Sequence, residues 1–256
     1  MPDYTNNRKF MQCPNFLEGM KTSDQSKEIK APPFGSDIKG ETFTFAVDNN
    51  VVTHDSYLDL VDVRRSKRNY AETAMSTEQL AFMLYSCQGI QSMRGDVATF
   101  RPVPSGGARH PFETYLTVKN VEGLKPGLYK YHPAANPGTK IVTIEYLSDI
   151  ADYDETITNM VAGQKWAAGA PVILFFSCVP YKAEWRYVDL AHRVMLIDLG
   201  HLGQNAMLSA AALGLGSCCM AAYNQQACDD LLKLDSINEY TVYAVSVGTP
   251  KEINNH

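Results

Sequence analysis

Apolar and polar positions divide the chain near residue 55. Before it no period is sustained: Pro32, Pro33 and scattered Asn and Ser interrupt the pattern, and only TFTFAV (Thr42–Val47) reads as a strand. Residues 1–55 are therefore expected to form an irregular extension that wraps a domain spanning 56–256. From Asp55 the pattern becomes regular. SYLDLVDVRRS reads as a helix that leads into a basic cluster. STEQLAFMLYSCQGI carries apolar residues at helical spacing, with Ser76 or Thr77 as N-cap, Glu78 in the first turn and Gly89 as terminator. TYLTV (Thr114–Val118) and GLYKYHP (Gly127–Pro133) predict a strand pair, and APVILFFSCV has the composition and length of a buried central strand.

Arg193–Leu213 is apolar almost all round, as a core helix is. Its exceptions, Asp198, His201 and Gln204–Asn205, fall at i, i+3 and i+6/i+7 and form one polar stripe. Buried polar groups need partners, so the stripe predicts a subunit interface, a ligand or internal hydrogen bonds. Gly214–Gly216 ends this helix, SCCMAA predicts a short strand, and YTVYAVSVG (Tyr240–Gly248) a final one. The order of elements implies an α+β fold: a mainly antiparallel central sheet flanked by helices.

Composition narrows the function classes. The chain has 256 residues, 45% hydrophobic and 20% charged, enough for a substantial core. A net charge of −5 argues against nucleic acid as a general partner. The first residues hold no apolar signal core, and the longest oily run is about half of a bilayer span, so a cytoplasmic protein without membrane contact is expected. The six cysteines form no C-x-x-C pair, so no metal site is expected and the thiols read as small buried hydrophobes. Cys218 and Cys219, adjacent in a strand, should point to opposite faces. Against this acidic background RRSKRNY (Arg64–Tyr70) sets four cations among five consecutive residues. By itself it is a solvated turn or a site for an anion. If the segment is extended, Arg64, Ser66 and Arg68 share one face.

The company of that segment decides between the two. RRSKRNY is followed by RPVPSGGARHPFETYLTV, GLYKYHP, AAGAPVILFF, DLGHLGQNAMLSAAALGLGSCCMAAY and VSVGTPK. In this order the six resemble the FMN-dependent nitroreductase superfamily, and within it the SagB-type dehydrogenase branch. The resemblance covers roughly residues 58 to 251. It implies a homodimer with two flavins at an interface to which the long helix belongs, FMN as bound cofactor, and NAD(P)H as electron donor to an electron-poor small molecule such as a quinone or nitroaromatic. It assigns Arg64, Ser66 and Arg68, with Arg65, to the phosphate, ribityl chain and pyrimidine side of FMN. Pro104, Ser105, Gly106 and Gly107 would reach the ring edge from the partner subunit. The Met220, Ala221 and Ala222 segment would set a backbone N–H over the ring, and Lys251 would lie near the phosphate or in water. Arg109 and His110 are the variable part of this loop and read equally as solvated loop residues or as part of the site.

One departure bears on the reaction. Azoline-oxidising SagB-type enzymes resemble one another in a Lys-Tyr pair before the long helix, whose counterpart here is Arg186–Tyr187, the expected catalytic pair. An arginine stays protonated and cannot act as a base, which favours reduction over azoline desaturation. The remaining readings are a SagB-type substrate dehydrogenase, a BluB-like flavin-fragmenting enzyme, and a flavin-storing or flavin-sensing protein without turnover. RYVDLAHR by itself predicts a helix with an Asp189–Arg193 pair.

Overall fold

The longest apolar run, Val172–Cys178, is buried at every position, as a strand must be when neighbours flank it and helices cover both faces. In the computed structural model, which describes residues 3–13 and 16–251, the elements are α1 (Thr5–Phe10), α2 (Phe16–Met20), β1 (Thr42–Ala46), α3 (Tyr57–Val63), α4 (Thr77–Gln88), β2 (Ser92–Arg94), β3 (Ala98–Phe100), β4 (Phe112–Val118), β5 (Gly127–Tyr131), β6 (Ile141–Ser148), α5 (Tyr153–Met160), β7 (Val172–Cys178), α6 (Tyr181–Tyr187), α7 (Ala191–Ala212), β8 (Gly216–Met220), α8 (Gln225–Leu232) and β9 (Tyr240–Gly248). The main sheet has the order β1-β6-β5-β4-β7-β9-β8. Every adjacent pair in it is antiparallel. The α+β expectation holds. β2 and β3 form a separate hairpin.

Strand alternation divides the core. Leu174, Phe176 and Cys178 pack with α4 and α7 on one face, while Ile173 and Phe175 join Tyr70, Tyr115, Met220 and α5 and α8 on the other. α4 starts where the sequence places it: Ser76 Oγ accepts from Gln79 N, and Gln79 Oε1 accepts from Ser76 N, both at 3.1 Å. This reciprocal cap satisfies two amides that the helix leaves free. At its end a Cβ on Gly89 would strike the Tyr85 ring.

Residues 1–55 hold two short helices, α1 and α2, that their pattern does not show, and the strand that it does. β1 is an edge strand of the main sheet, in register with β6. Pro32–Pro33 and the polar residues around it do run without regular structure. They are held at Ile29, whose carbonyl accepts from Trp185 Nε1 (2.9 Å), and at Lys39, whose N–H donates to buried Glu145 (2.8 Å).

Three expectations are corrected, and one alternative left open is closed. The loop residues Arg109 and His110 are buried, not solvated: Arg109 donates to the carbonyls of Lys182 and Val97 and stacks on Trp185, and the His110 ring meets the Thr99 carbonyl. RYVDLAHR is not one helix, because Val188 adopts φ 50° and separates α6 from α7. Among the described residues there is no Asp189–Arg193 ion pair, and His192 meets Glu184 instead. α7 is apolar but buried on one face only: Leu196, Ile197, His201 and Gln204 are exposed. Its polar stripe is accordingly mixed. Asp198 and Asn205 find partners inside the chain, the latter at the Ser86 carbonyl, whereas His201 and Gln204 face outward.

Candidate functional site

α3 ends because Arg64 turns to extended backbone, φ −61° and ψ 113°. The chain then runs along the free edge of β8. Ser66 bridges Ser217, and Lys67 N–H donates to the Ser217 carbonyl at 2.9 Å. Gly216 is small where the Lys67 stem crosses it: a Cβ there would lie 2.7 Å from Lys67 Cβ. Buried Tyr70 anchors the far end, its hydroxyl donating to the Lys67 carbonyl (2.8 Å) and sharing a hydrogen bond with Ser246 Oγ (2.7 Å). Next to it, Lys251 N–H donates to the Asn69 carbonyl at 3.0 Å.

This scaffold gathers five cations: half-buried Arg64, and Arg65, Lys67, Arg68 and Lys251, which are exposed. Among the described residues none of them is ion-paired. The Arg68 guanidinium lies over the Trp166 ring, 5.8 Å from its centroid, and Arg65 Nη1 donates to the Arg64 carbonyl. Cys218 and Cys219 do diverge. Burial raises both thiols, opposed by Arg68 at Cys218 and by Tyr243 and then Arg64 at Cys219. Cations collected without counter-ions repel one another, and an anion that joins them gains charge-assisted hydrogen bonds.

Where β8 ends, Met220 is buried while Ala221 and Ala222 are exposed. Gln164 Nε2 fixes this turn through the Ala222 carbonyl (2.9 Å). Among the described residues no protein group accepts from the N–H of Ala221 or Ala222. The cation segment pairs with β8 at Ser217, near the start of the strand, and the free amides follow Met220, where the strand ends. Both suit FMN, whose dianionic phosphate needs the former and whose ring edge takes donors such as the latter.

Pro104–Gly107 lies elsewhere in the chain. Ser105 Oγ donates to Asp198 Oδ2 (2.6 Å) and accepts from His110 N (3.0 Å), and Gly106 N–H donates to Asp198 at 3.0 Å. Burial raises the Asp198 carboxyl, against the pull of these donors. Gly107 sits at φ 58°, and a Cβ on it would lie 2.6 Å from Tyr187 Oη and 2.7 Å from Arg186 Nε. Its lack of a side chain is thus used first by α6, which packs against the loop. No hydrogen bond, ion pair or ring contact among the described residues joins this loop to Arg64–Arg68.

Arg186 and Tyr187 meet the loop at the end of α6. Arg186 Nη1 donates to Gln25 Oε1 (2.7 Å), while its Nε is buried without a partner. The buried Tyr187 ring lies 5.5 Å from that of Phe16. Sequence reasoning missed Trp166 beneath Arg68 and Gln25 beside Arg186, since each acts on a residue far away in the chain. It flagged Asp198 as a polar exception but did not connect it with Ser105.

Among the described residues no helix is long and apolar enough to cross a membrane. The profile of the Nitroreductase family matches residues 61–249. A Methanocaldococcus jannaschii protein named as a candidate nitroreductase is 30% identical over 190 residues, 74% of this chain and 89% of that protein. The trifolitoxin-processing protein TfxB of Rhizobium leguminosarum bv. trifolii is 29% identical over 57% of this chain, and the microcin B17-processing protein McbC of Escherichia coli 28% over 53%. The match spans only 39% of TfxB and 49% of McbC. Among solved structures, the fold is similar to a candidate nitroreductase of Anabaena variabilis, with TM-score 0.61 at 21% identity over 85% of this chain and 45% of that one. It is also similar to the E. coli microcin synthetase McbBCD complex with truncated pro-MccB17 bound, with TM-score 0.59 at 20% identity over 90% of this chain and 81% of that one.

Proposed function

The chain belongs to the nitroreductase family, and from that premise we propose that it is an FMN-dependent reductase of electron-poor small molecules in the SagB-type branch. The observation that carries this reading is the unpaired cation cluster along the edge of β8, the strand that leads at its other end into the free amides of Ala221 and Ala222. The chemistry that FMN supplies when bound is two-electron transfer, with hydride taken from NADH or NADPH and passed on to a quinone or nitroaromatic. Arg64 and Lys251 would hold the phosphate, Ser66 would offer its hydroxyl to the ribityl oxygens, Arg68 would lie toward the pyrimidine side of the ring, and Arg65 would add charge at the rim. The backbone at Met220, Ala221 and Ala222 would donate to the ring. Donors fixed by the fold need no reorganisation when charge develops on the ligand. Arg186 contributes a fixed positive charge, and Tyr187 packs it against the 104–107 loop.

Homodimerisation completes the site. Pro104, Ser105, Gly106 and Gly107 stand apart from the cations within one chain, and a second subunit would bring its own copy of this loop to them. Support comes from an apolar face on α3 and α7, where Tyr57, Leu58, Val61, Leu196 and Ile197 are exposed, Leu58 at 72%. An exposed patch of that kind marks an interface. Light scattering in dilute solution should give twice the chain mass, and a monomer that retains full flavin would exclude a shared site.

The relatives TfxB and McbC, named as processing proteins for trifolitoxin and microcin B17, together with the SagB-type resemblance favour a second reading, oxidation of a peptide substrate. Arg186 argues against it, since a guanidinium cannot take up the proton that desaturation releases. Purified protein should be yellow, release FMN and not FAD on denaturation, and oxidise NADH or NADPH when a quinone is added. Conversion of a thiazoline peptide to the thiazole, with no nicotinamide consumed, would replace the first reading by the second. A cytoplasmic location accords with either reaction.

A further inference from the structure

A cavity of about 620 Å³ opens between β3, the loop that follows it and α6. Its lining includes Arg94, Arg101, Arg186 and His110, together with Gln25 and Phe100, and no Asp or Glu. In a chain of net charge −5, three guanidinium groups on an acid-free cavity wall are a local inversion of charge.

The hydrogen bonds sharpen this. Arg101 is 8% exposed. Its Nε donates to Thr99 Oγ1 (3.2 Å) and its Nη1 to Gln88 Oε1 (2.8 Å), both neutral, and its Nη2 has no protein partner among the described residues. Glu113, the nearest carboxylate to influence it, is held by Lys182 and Lys130. Burial lowers the Arg101 pKa to about 10, which leaves it charged at neutral pH. Arg186 has its Nε buried and unpartnered, and Arg94 is exposed and not ion-paired among the described residues. Neighbouring Arg109 differs, because its N–H groups are used by the carbonyls of Lys182 and Val97. His110 stays neutral: burial first, then Arg101, push its pKa down to about 3. A buried cation without a counter-ion is costly, and an arginine fork matches an oxyanion in shape and charge.

We propose that this cavity is a subsite for the oxyanion of a substrate, a carboxylate or a phosphate, held by Arg101 and Arg186 with Arg94 at the mouth. The volume suits a small aromatic acid, and the exposed ring of Phe100 offers it an apolar wall. That the ligand is a substrate rests on the oxidoreductase reading, since Pro104, Ser105 and Gly107 of the ring-edge loop line the same cavity.

Titration calorimetry on the purified protein tests this with 4-nitrobenzoate against 4-nitrobenzamide, and with NADPH against NADH. The acid should bind about tenfold or more tightly than the amide, and the difference should shrink in high salt. Arg101→Met and Arg94→Gln should each reduce it while leaving amide binding unchanged, the exposed Arg94 serving if the buried variant folds poorly. A preference confined to NADPH, lost in the same variants, would assign the pocket to the phosphate of the nicotinamide donor; one confined to the acid would assign it to the acceptor. Equal binding within both pairs overturns the subsite. Retained acid binding in a protein that never oxidises nicotinamide overturns the oxidoreductase reading instead.

Discussion

Arg64→Ala and Arg68→Ala should each weaken FMN binding roughly ten- to a hundredfold while the protein stays folded. Each substitution removes one charge-assisted contact, worth about 1.5–3 kcal/mol. The fold should tolerate the loss. The segment is attached to β8 through backbone bonds at Ser66 and Lys67 and to β9 through the Tyr70 hydroxyl at Ser246, none of which involves either guanidinium. With five cations and no ion pair among the described residues at this edge, removal of one also lessens the repulsion in the free protein. Apo-protein stability should therefore hold steady or rise slightly as affinity falls. Fluorescence titration of FMN into apo-protein, paired with thermal melts, measures both. Unchanged affinity in both variants would return RRSKRNY to a solvated turn.

The largest effect on stability is expected at Glu113. This buried carboxylate lies between Lys182 and Lys130, the latter 3.6 Å away. Burial opposes its ionisation, but the two lysines prevail and hold it below the ordinary carboxylate range. Glu113→Ala leaves two ammonium groups buried in a protein interior, a loss of about 3–5 kcal/mol. For a chain of this size that lowers the melting temperature by roughly 6–20 °C. If the cost comes from stranded charge, adding Lys130→Met and Lys182→Met to a Glu113→Leu variant should recover most of it. A triple variant as unstable as Glu113→Ala would show that packing at this site, and not charge, dominates.

Neither the Glu113 triad nor the anchoring of the 104–107 loop was legible along the chain, and the reason is the same for both. Glu113 lies in β4, Lys130 in β5 and Lys182 in α6, and their meeting depends on sheet register. Asp198 stood out as a polar residue on an oily helix, but nothing local says that Ser105 and Gly106, more than ninety positions away, will satisfy it. Arg109 and His110 could read as solvated because a loop is usually exposed. The hairpin of β2 and β3 and the turn into α6 bury them.

What the sequence by itself determined is whatever repeats at short range. Period 3.6 with a capping serine and a closing glycine specified α4, an unbroken apolar run specified β7, and alternation specified β4 and β9, because each depends on neighbours within a few residues. The same locality made RRSKRNY visible as a charge cluster. Tertiary structure alone decided the rest. It paired β1 with β6 at the sheet edge, broke RYVDLAHR at Val188, and left one face of α7 open. It gave the 104–107 loop no hydrogen bond or ion pair to Arg64–Arg68 among the described residues, and it turned Arg101 and Arg186 toward a common cavity. Long-range pairing, register and burial fix where a charge can find its partner, and no window of sequence carries that information.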